Sequence, residues 1–484
     1  MPAINGNQYL ARMDQIKPEV WIKGEKIQGS LSMHPAYKGA MKTKAALYDL
    51  QVHPELINKM TYKSPKTNER VGLSFLQPKS KEDLEARRDM IKIWATKTAG
   101  MMGRTPDYLN TVLMTLSASA SILNDQDEEF SNNLILLYET AREKDLSFTH
   151  SFINPQVNRS SGYAEQSAQP IALTIVKKTS EGLIVKGARL LATQGGMTDE
   201  VLVLPSGSHV KDEAYAFSFS IPSDTKGLKF ICRESYYQGE STINYPLSSR
   251  FHEMDTIMIF DNVLVPWERV FFYHRQDIAQ KLFARSSFTP LALHQVIIRQ
   301  IVKTEFILGL AQKMVHTLNV SEYQHIKEKI SEMIMGLETM KALLDRAELH
   351  ASEDSWGTVV PNANSLYVAV TMFPKLYPRF IEILQLIGAG GLVSIPNEED
   401  FQSSLDADIS QYFQGAACDA VTKTKIFRLA WDLTMSAFGT RQTQYERYFF
   451  GDPVRLASNL YSGYPRDDYV KQVEDFLNNN KEAH

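Results

Sequence analysis

Apolar residues recur at helical spacing near both ends of the chain and at strand spacing in the middle. After Ser80-Lys-Glu-Asp83, a capping-box pattern, a helix is expected with Leu84, Ile91, Trp94 and Ala95 toward the core. A second helix opens at Pro106, with Thr105 as its N-cap and Leu109, Val112, Leu113 and Leu116 inward. A third runs from about Ser131 to Lys144. Residues 1 to 79 read as irregular, with one helix near Ala40–Gln51. From about Leu146 to Tyr273 the period shortens. Ala172–Lys177, Leu183–Lys186, Val201–Leu204, Ala216–Ile221, Leu228–Cys232 and Ile257–Phe260 are short β-rich runs between turn clusters. Helical spacing then returns. Ile298, Val302, Phe306 and Leu310 form one stripe, and Ser321 is expected to cap a helix reaching about Ala351. Further helices are expected over Asn362–Ile387 and Ala417–Ala437, lengths that suit a four-helix bundle. The predicted class is α+β: a mainly helical region over 1–145, a central antiparallel β domain over 146–276, and a C-terminal helix bundle with a tail over 277–484.

Composition narrows the function classes. With 484 residues the chain exceeds a single typical core. Lys plus Arg is 52 and Asp plus Glu is 56, so the net charge of −4 gives no support for a nucleic-acid or membrane partner. No apolar run approaches the roughly 18 residues that a bilayer requires. The histidines show no metal-ligand spacing, and two cysteines, Cys232 and Cys418, build neither a disulfide framework nor a cysteine metal site. The N-terminus has no signal-peptide pattern, and a cytoplasmic enzyme is expected. A strand-turn-helix Gly-x-Gly-x-x-Gly, a P-loop, a His-Glu-x-x-His and a Gly-x-Ser-x-Gly are all missing from the sequence, so no nicotinamide site of the chain's own is indicated.

Two segments carry candidate chemistry. Residues 100 to 110 read Gly-Met-Met-Gly-Arg-Thr-Pro-Asp-Tyr-Leu-Asn, placing Arg104 and Tyr108 four apart at a helix start. A guanidinium and a phenol on one helix face can hold an anionic oxygen; they can equally form a solvated helix shoulder. Residues 149 to 159 read Thr-His-Ser-Phe-Ile-Asn-Pro-Gln-Val-Asn-Arg and contain His150.

Together with Pro-Leu-Ser-Ser-Arg at 246–250, Phe-Asp-Asn-Val-Leu-Val-Pro-Trp-Glu-Arg-Val at 260–270 and Phe-Phe-Gly-Asp-Pro-Val-Arg at 449–455, these segments resemble the oxygenase components of the 4-hydroxyphenylacetate 3-monooxygenases, two-component flavin-dependent enzymes. The resemblance runs from about Tyr9 to about Tyr461. It implies an acyl-CoA dehydrogenase-like fold and a homotetramer. It also implies FAD, delivered as FADH2 by a separate reductase. The implied reaction hydroxylates a para-substituted phenol ortho to its hydroxyl through a flavin C4a-hydroperoxide. Arg104, Tyr108 and His150 match residues around the substrate hydroxyl, where a fixed cation and a donor stabilise phenolate character and an imidazole accepts or relays the proton. His150 also matches a flavin contact, as do Gln156, Val157, Asn158, Arg159, Thr193, Gly451, Asp452, Pro453 and Val454. Gln385-Leu-Ile-Gly388-Ala-Gly390-Gly391 is similar to a glycine segment that approaches a flavin across a subunit interface in this fold, and equally fits a helix C-cap.

The chain departs from the family at Ser206-Gly207, where Ser-Thr binds the substrate's acidic tail in some members. The preceding Gln194-Gly-Gly-Met-Thr198 is also unusually glycine-rich. Weaker discrimination for the acid is therefore expected. Other phenol or halophenol hydroxylases are the alternative. An iron–sulfur dehydratase on the same fold, 4-hydroxybutyryl-CoA dehydratase, is disfavoured because no cysteine stands in the 100–103 loop or near His294; a non-catalytic protein is disfavoured by the presence of Arg104, Tyr108 and His150.

Overall fold

The structure, a computed structural model, describes residues 2–157, 171–205 and 213–479. The N-terminal region contains α1 (Gly6–Gln15), β1 (Glu19–Ile22), β2 (Glu25–Lys26) and α2 (Pro35–Val52). Next come α3 (Ile57–Met60) and a hairpin of β3 (Thr61–Lys63) and β4 (Arg70–Gly72). Three longer helices follow, α4 (Lys81–Lys97), α5 (Pro106–Ala118) and α6 (Glu128–Lys144). More of this region is ordered than its pattern indicates. The missed elements, α1, α3 and β1 to β4, are too short to set up a periodic run, while the expected helix is α2, longer than read because it starts at Pro35 and buries Lys44 and Gln51 among its apolar residues. Ser80 and Asp83 form the expected capping box on α4. Thr105 occupies the N-cap of α5 but makes no side-chain cap bond, and α6 starts at Glu128 because Asp127 caps it.

Two sheets make the middle layer. One contains β6 (Thr174–Lys178), β7 (Gly182–Thr193), β10 (Leu228–Cys232) and β11 (Asp255–Pro266), and takes in β1 and β2 from the N-terminal region, in the order β2-β1-β10-β11-β7-β6. The other, in the order β12-β9-β8-β5, joins β5 (Phe148–Ser151), β8 (Glu200–Val203), β9 (Phe217–Pro222) and β12 (Val270–Tyr273). Pairing is antiparallel except for β1 with β10 and β5 with β8. Those two parallel strands come from residues distant in sequence, so no hairpin signal announced them.

A short helix, α7 (Ser248–Phe251), precedes β11, and α8 (Gln276–Ala284) follows β12. The bundle consists of α9 (Phe288–Leu318), α10 (Gln324–Leu349), α11 (Ala363–Gly388) and α13 (Ala420–Thr434), with α12 (Asp406–Tyr412) before its last member. Every residue of α9 from Leu291 to Thr304 is buried, because α4 and α5 pack on one side and α10 and α11 on the other. A helix enclosed in this way shows no polar face. Ser321 is not a cap: Tyr323 occupies the N-cap of α10, one turn after the left-handed Asn319 that ends α9. Asn362 does cap α11, its side chain accepting from the Ser365 N–H. The chain continues through α14 (Ala437–Tyr448), α15 (Pro453–Gly463) and α16 (Asp467–Asn479). No described helix is long and apolar enough to cross a membrane.

Candidate active site

The Gly100–Gly103 turn joins α4 to α5, and three separate elements hold it. Ala99 and Gly100 both lie in the left-handed region, at φ 49° and 68°. Arg299 of α9 donates to the Gly100 carbonyl at 3.0 Å, and Gln442 of α14 donates to the Met101 carbonyl at 3.0 Å. Glu253 receives the Gly103 and Arg104 N–H groups at 3.0 and 2.9 Å. Gln194, left-handed at φ 66°, sends its amide to the Arg104 carbonyl at 2.8 Å and to Glu253 at 3.0 Å. Behind it, Lys44 donates to the Gln194 side-chain oxygen at 3.0 Å; burial pushes this ammonium down to about 7. A non-glycine residue kept left-handed costs energy, and here the conformation lets one amide bridge the turn and its carboxylate anchor.

Arg104 precedes the cap of α5, so helix register does not bring it to Tyr108. The guanidinium instead folds back over the Tyr108 ring, 4.4 Å from its centroid, and over Phe449 at the same distance. Nη1 donates to the Tyr445 hydroxyl at 3.0 Å, while Nε is buried without a partner. The Tyr108 ring lies 5.8 Å from that of His150, centre to centre. His150 stands on β5, in register with Leu202 of β8, and meets Phe152 edge-on at 4.7 Å. The family resemblance, not the local pattern, linked His150 to Arg104 and Tyr108, and the structure places the three side chains together. Neither the Tyr108 hydroxyl nor the His150 ring makes a hydrogen bond to another described residue. Burial, aided by the Arg104 charge, holds His150 well below its ordinary pKa. It is thus a neutral imidazole at physiological pH, able to accept or donate one hydrogen bond but a weak base. Burial raises Tyr108 against the opposing pull of Arg104 and Arg299, so it remains a neutral phenol.

Thr193 ends β7. Its hydroxyl donates to Asp255 at 2.8 Å, and Asp255 also receives Arg441 through two bonds, at 2.9 and 2.6 Å, and Arg233 at 3.0 Å. Burial alone would raise the Asp255 carboxyl; the two guanidiniums outweigh it and hold the group well below the carboxylate range. Thr193 therefore presents lone pairs rather than a free proton to any ligand. Gln156 and Val157 are exposed. Asn158, Arg159, Ser206 and Gly207 lie outside the described residues. Gly451 to Val454 form the entry to α15: Gly451 is at φ 122°, Asp452 caps the helix by accepting from the Val454 N–H at 2.7 Å, and Pro453 follows the cap. This segment begins two residues after Phe449, so the cation–π contact with Arg104 tethers it to the site.

These features fit a flavin. The start of α15 offers a helix N-terminus, a natural seat for anionic groups. Val157 and Val454, 61% and 77% exposed, leave apolar surface to be covered. Beneath Arg104 lies a fully buried ion cluster, where Glu446 binds Arg299 at 2.6 and 2.9 Å and Lys303 at 2.7 Å. Glu253, Arg441, Tyr445 and Glu446 were not singled out from sequence, and Gln194 and Phe449 entered only as the first residues of quoted segments. Tyr445 stands four residues before Phe449, the first residue of the 449–455 motif, a usable signal; nothing local links Glu253 to Gly103.

Comparison with known proteins agrees with this geometry. Residues 5–272 match the family described as 4-hydroxyphenylacetate 3-hydroxylase N terminal, and residues 279–478 match its C-terminal counterpart. The chain is 54% identical to the probable 4-hydroxyphenylacetate 3-monooxygenase of Bacillus subtilis (strain 168), over 99% of each chain. It is 45% identical to the 4-hydroxyphenylacetate 3-monooxygenase oxygenase component of Geobacillus sp. (strain PA-9), over 99% of this chain and 97% of the other. A crystal structure of such an oxygenase component complexed with FAD and 4-hydroxyphenylacetate superposes with a TM-score of 0.95 at 42% identity, covering 99% of this chain and 100% of that one. A 4-hydroxybutyryl-CoA dehydratase from N. maritimus shares the fold, with a TM-score of 0.88 at 20% identity, covering 99% and 95%. Here His294 is bound to Glu348 at 2.7 Å, and among the described residues no group of His, Cys, Asp and Glu side chains could hold a metal ion.

Proposed function

The chain belongs to the 4-hydroxyphenylacetate 3-hydroxylase family, and from that premise we propose that it hydroxylates 4-hydroxyphenylacetate, or a closely similar para-substituted phenol, ortho to the phenol oxygen. Reduced FAD and O2 are consumed; one oxygen atom enters the ring, the other leaves as water, and the flavin leaves oxidised. When bound, the reduced flavin supplies the two electrons and the site at which O2 is activated. The protein's own residues bind and orient the phenol. The observation carrying this reading is a cluster of unpaired polar groups: Arg104 Nε buried without a partner, beside the unbonded Tyr108 hydroxyl and His150 ring.

In this reading Arg104 and Tyr108 donate to the phenol oxygen as it gains negative charge, and His150, a neutral imidazole, accepts a hydrogen bond from its proton and relays it without retaining it. Charge-assisted donors aimed at a developing oxyanion are the largest single contribution such a site can make. Ser206 and Gly207 are assigned to recognition of the substrate tail, with one hydroxyl fewer than Ser-Thr offers. Gln156, Val157, Asn158, Arg159, Thr193 and Gly451–Val454 contact the flavin. A separate reductase supplies the flavin in reduced form, because no nicotinamide motif accompanies the site. Mixed with a generic flavin reductase, NADH and FAD, the protein is expected to convert 4-hydroxyphenylacetate to a catechol. On its own it is expected to leave NADH unoxidised. Rapid NADH oxidation by the purified chain alone would end the two-component reading.

We also propose a homotetramer. Among its described side chains helix α16 has no buried residue, and Val470, Val473, Phe476 and Leu477 lie on it 55–67% exposed. A lone helix of this length is marginal in water, so its apolar face calls for a partner surface. Ala389 and Gly390, in the glycine segment after α11, are also open to solvent. Sedimentation at micromolar concentration is expected to show four chains; a monomer would contradict the proposal.

A further inference from the structure

We infer that Tyr445 is a positioning residue whose hydroxyl sets the direction in which Arg104 presents its free N–H groups to the phenol. This rests on the reading of Arg104 given above. The guanidinium lies against the faces of Tyr108 and Phe449, 4.4 Å from each centroid, in the corner these two rings form, 5.5 Å apart and tilted by 59°. Such ring contacts hold the charge in place but do not choose where its N–H groups point. A directional hydrogen bond to one of its nitrogens does. Tyr445 supplies that bond at 3.0 Å; the other contact of Nη1, to the Gly103 carbonyl, is long at 3.4 Å. With Nη1 held, the unpartnered Nε is directed elsewhere, where a ligand oxygen can meet it.

Tyr445 is itself firmly placed. Its ring lies 4.9 Å from Phe449, and the Arg441 guanidinium sits 4.6 Å over its face. Arg441 stands one turn earlier on α14 and is locked onto Asp255, which also takes the Thr193 hydroxyl. The residue proposed to face the flavin and the one proposed to face the phenol are thereby joined through α14. Gly103 is a second, independent observation. A Cβ there would fall 1.8 Å from the Tyr445 oxygen, so a side chain at 103 and the hydroxyl cannot coexist in this geometry. Burial raises Tyr445 above its ordinary value, although Arg104 opposes this, and it remains a neutral acceptor.

The test uses 4-nitrophenol, whose ionisation is visible by absorbance, bound to protein saturated with oxidised FAD. Tyr445→Phe keeps the ring and removes the oxygen. It is expected to raise the apparent pKa of the bound probe by roughly 0.5–1 unit, the size of one hydrogen bond's contribution. FAD affinity and melting temperature are expected to stay at wild-type values. Gly103→Ala, which displaces the hydroxyl from the other side, is expected to raise the pKa in the same sense and decides the matter if Tyr445→Phe does not fold. Arg104→Ala is the control: it raises the pKa further or abolishes probe binding. If Arg104→Ala shifts the probe and neither other variant does, Tyr445 has no positioning role and the site reading stands. If Arg104→Ala leaves the probe unchanged, the site reading fails and this inference falls with it.

Discussion

Arg104→Ala is expected to lower catechol formation about a hundredfold while FAD still binds. Removing a charge-assisted donor from a developing oxyanion costs about 3 kcal/mol, which is that factor in rate. The loss should appear in coupling rather than in flavin consumption. Electrons from the reduced flavin would leave as hydrogen peroxide, because O2 still reaches the flavin while the phenol is no longer poised. Catechol and peroxide measured per reduced flavin give the two quantities directly. The main chain around residue 104 should keep its place, since Glu253 and Gln194 hold the backbone and not the guanidinium. An undiminished catechol yield would remove Arg104 from the site.

Glu446→Gln is expected to be the most destabilising single change near the site, by about 3–5 kcal/mol, because it strands two cations in a dry interior. Glu446, Arg299 and Lys303 have side chains 0–1% exposed. Burial opposes the charged carboxylate, but Arg299 and Lys303 overcome this and bring Glu446 to about 2. Its folded-state value is thus depressed below the ordinary 4.5. The stabilisation is complete above the unfolded value and is lost as pH falls from about 4.5 toward about 2. Urea unfolding midpoints of wild type and variant should differ most near neutrality and converge in acid. The variant should also lose activity beyond its stability defect, since Arg299 carries the Gly100 carbonyl as well as Glu446. A midpoint within error of wild type at pH 7 would show that the cluster is not held together by charge.

Much of the site was legible in the chain because its chemistry is local. Arg104 and Tyr108 lie in one turn, and His150 lies in a segment whose residues resemble those of a family with known behaviour. The reasoning was less sound than the outcome. Helix register was expected to align Arg104 with Tyr108, yet Arg104 sits outside the helix and reaches the ring by stacking. Strand β5, which carries His150, left no trace in the pattern, because it is four residues long, buried throughout and pairs in parallel with a strand some fifty residues on.

The sequence by itself determined the order of the layers, the bundle helices and the capping of α4; the residues for holding a phenol and a flavin were legible only through the family resemblance. The layers, helices and cap follow from periodicity and side-chain chemistry, which are properties of short windows; the site residues follow from the likeness of several longer segments. The tertiary structure alone decided which groups act together. Glu253 reaches Gly103 across 150 positions, and Tyr445 reaches Arg104 across 341. Lys44, Arg299, Lys303 and Glu446 carry charges that a pattern assigns to the surface, and all four are buried. They tolerate this only because each finds a partner contributed by another element of the fold, and such partnerships have no signature in a linear pattern.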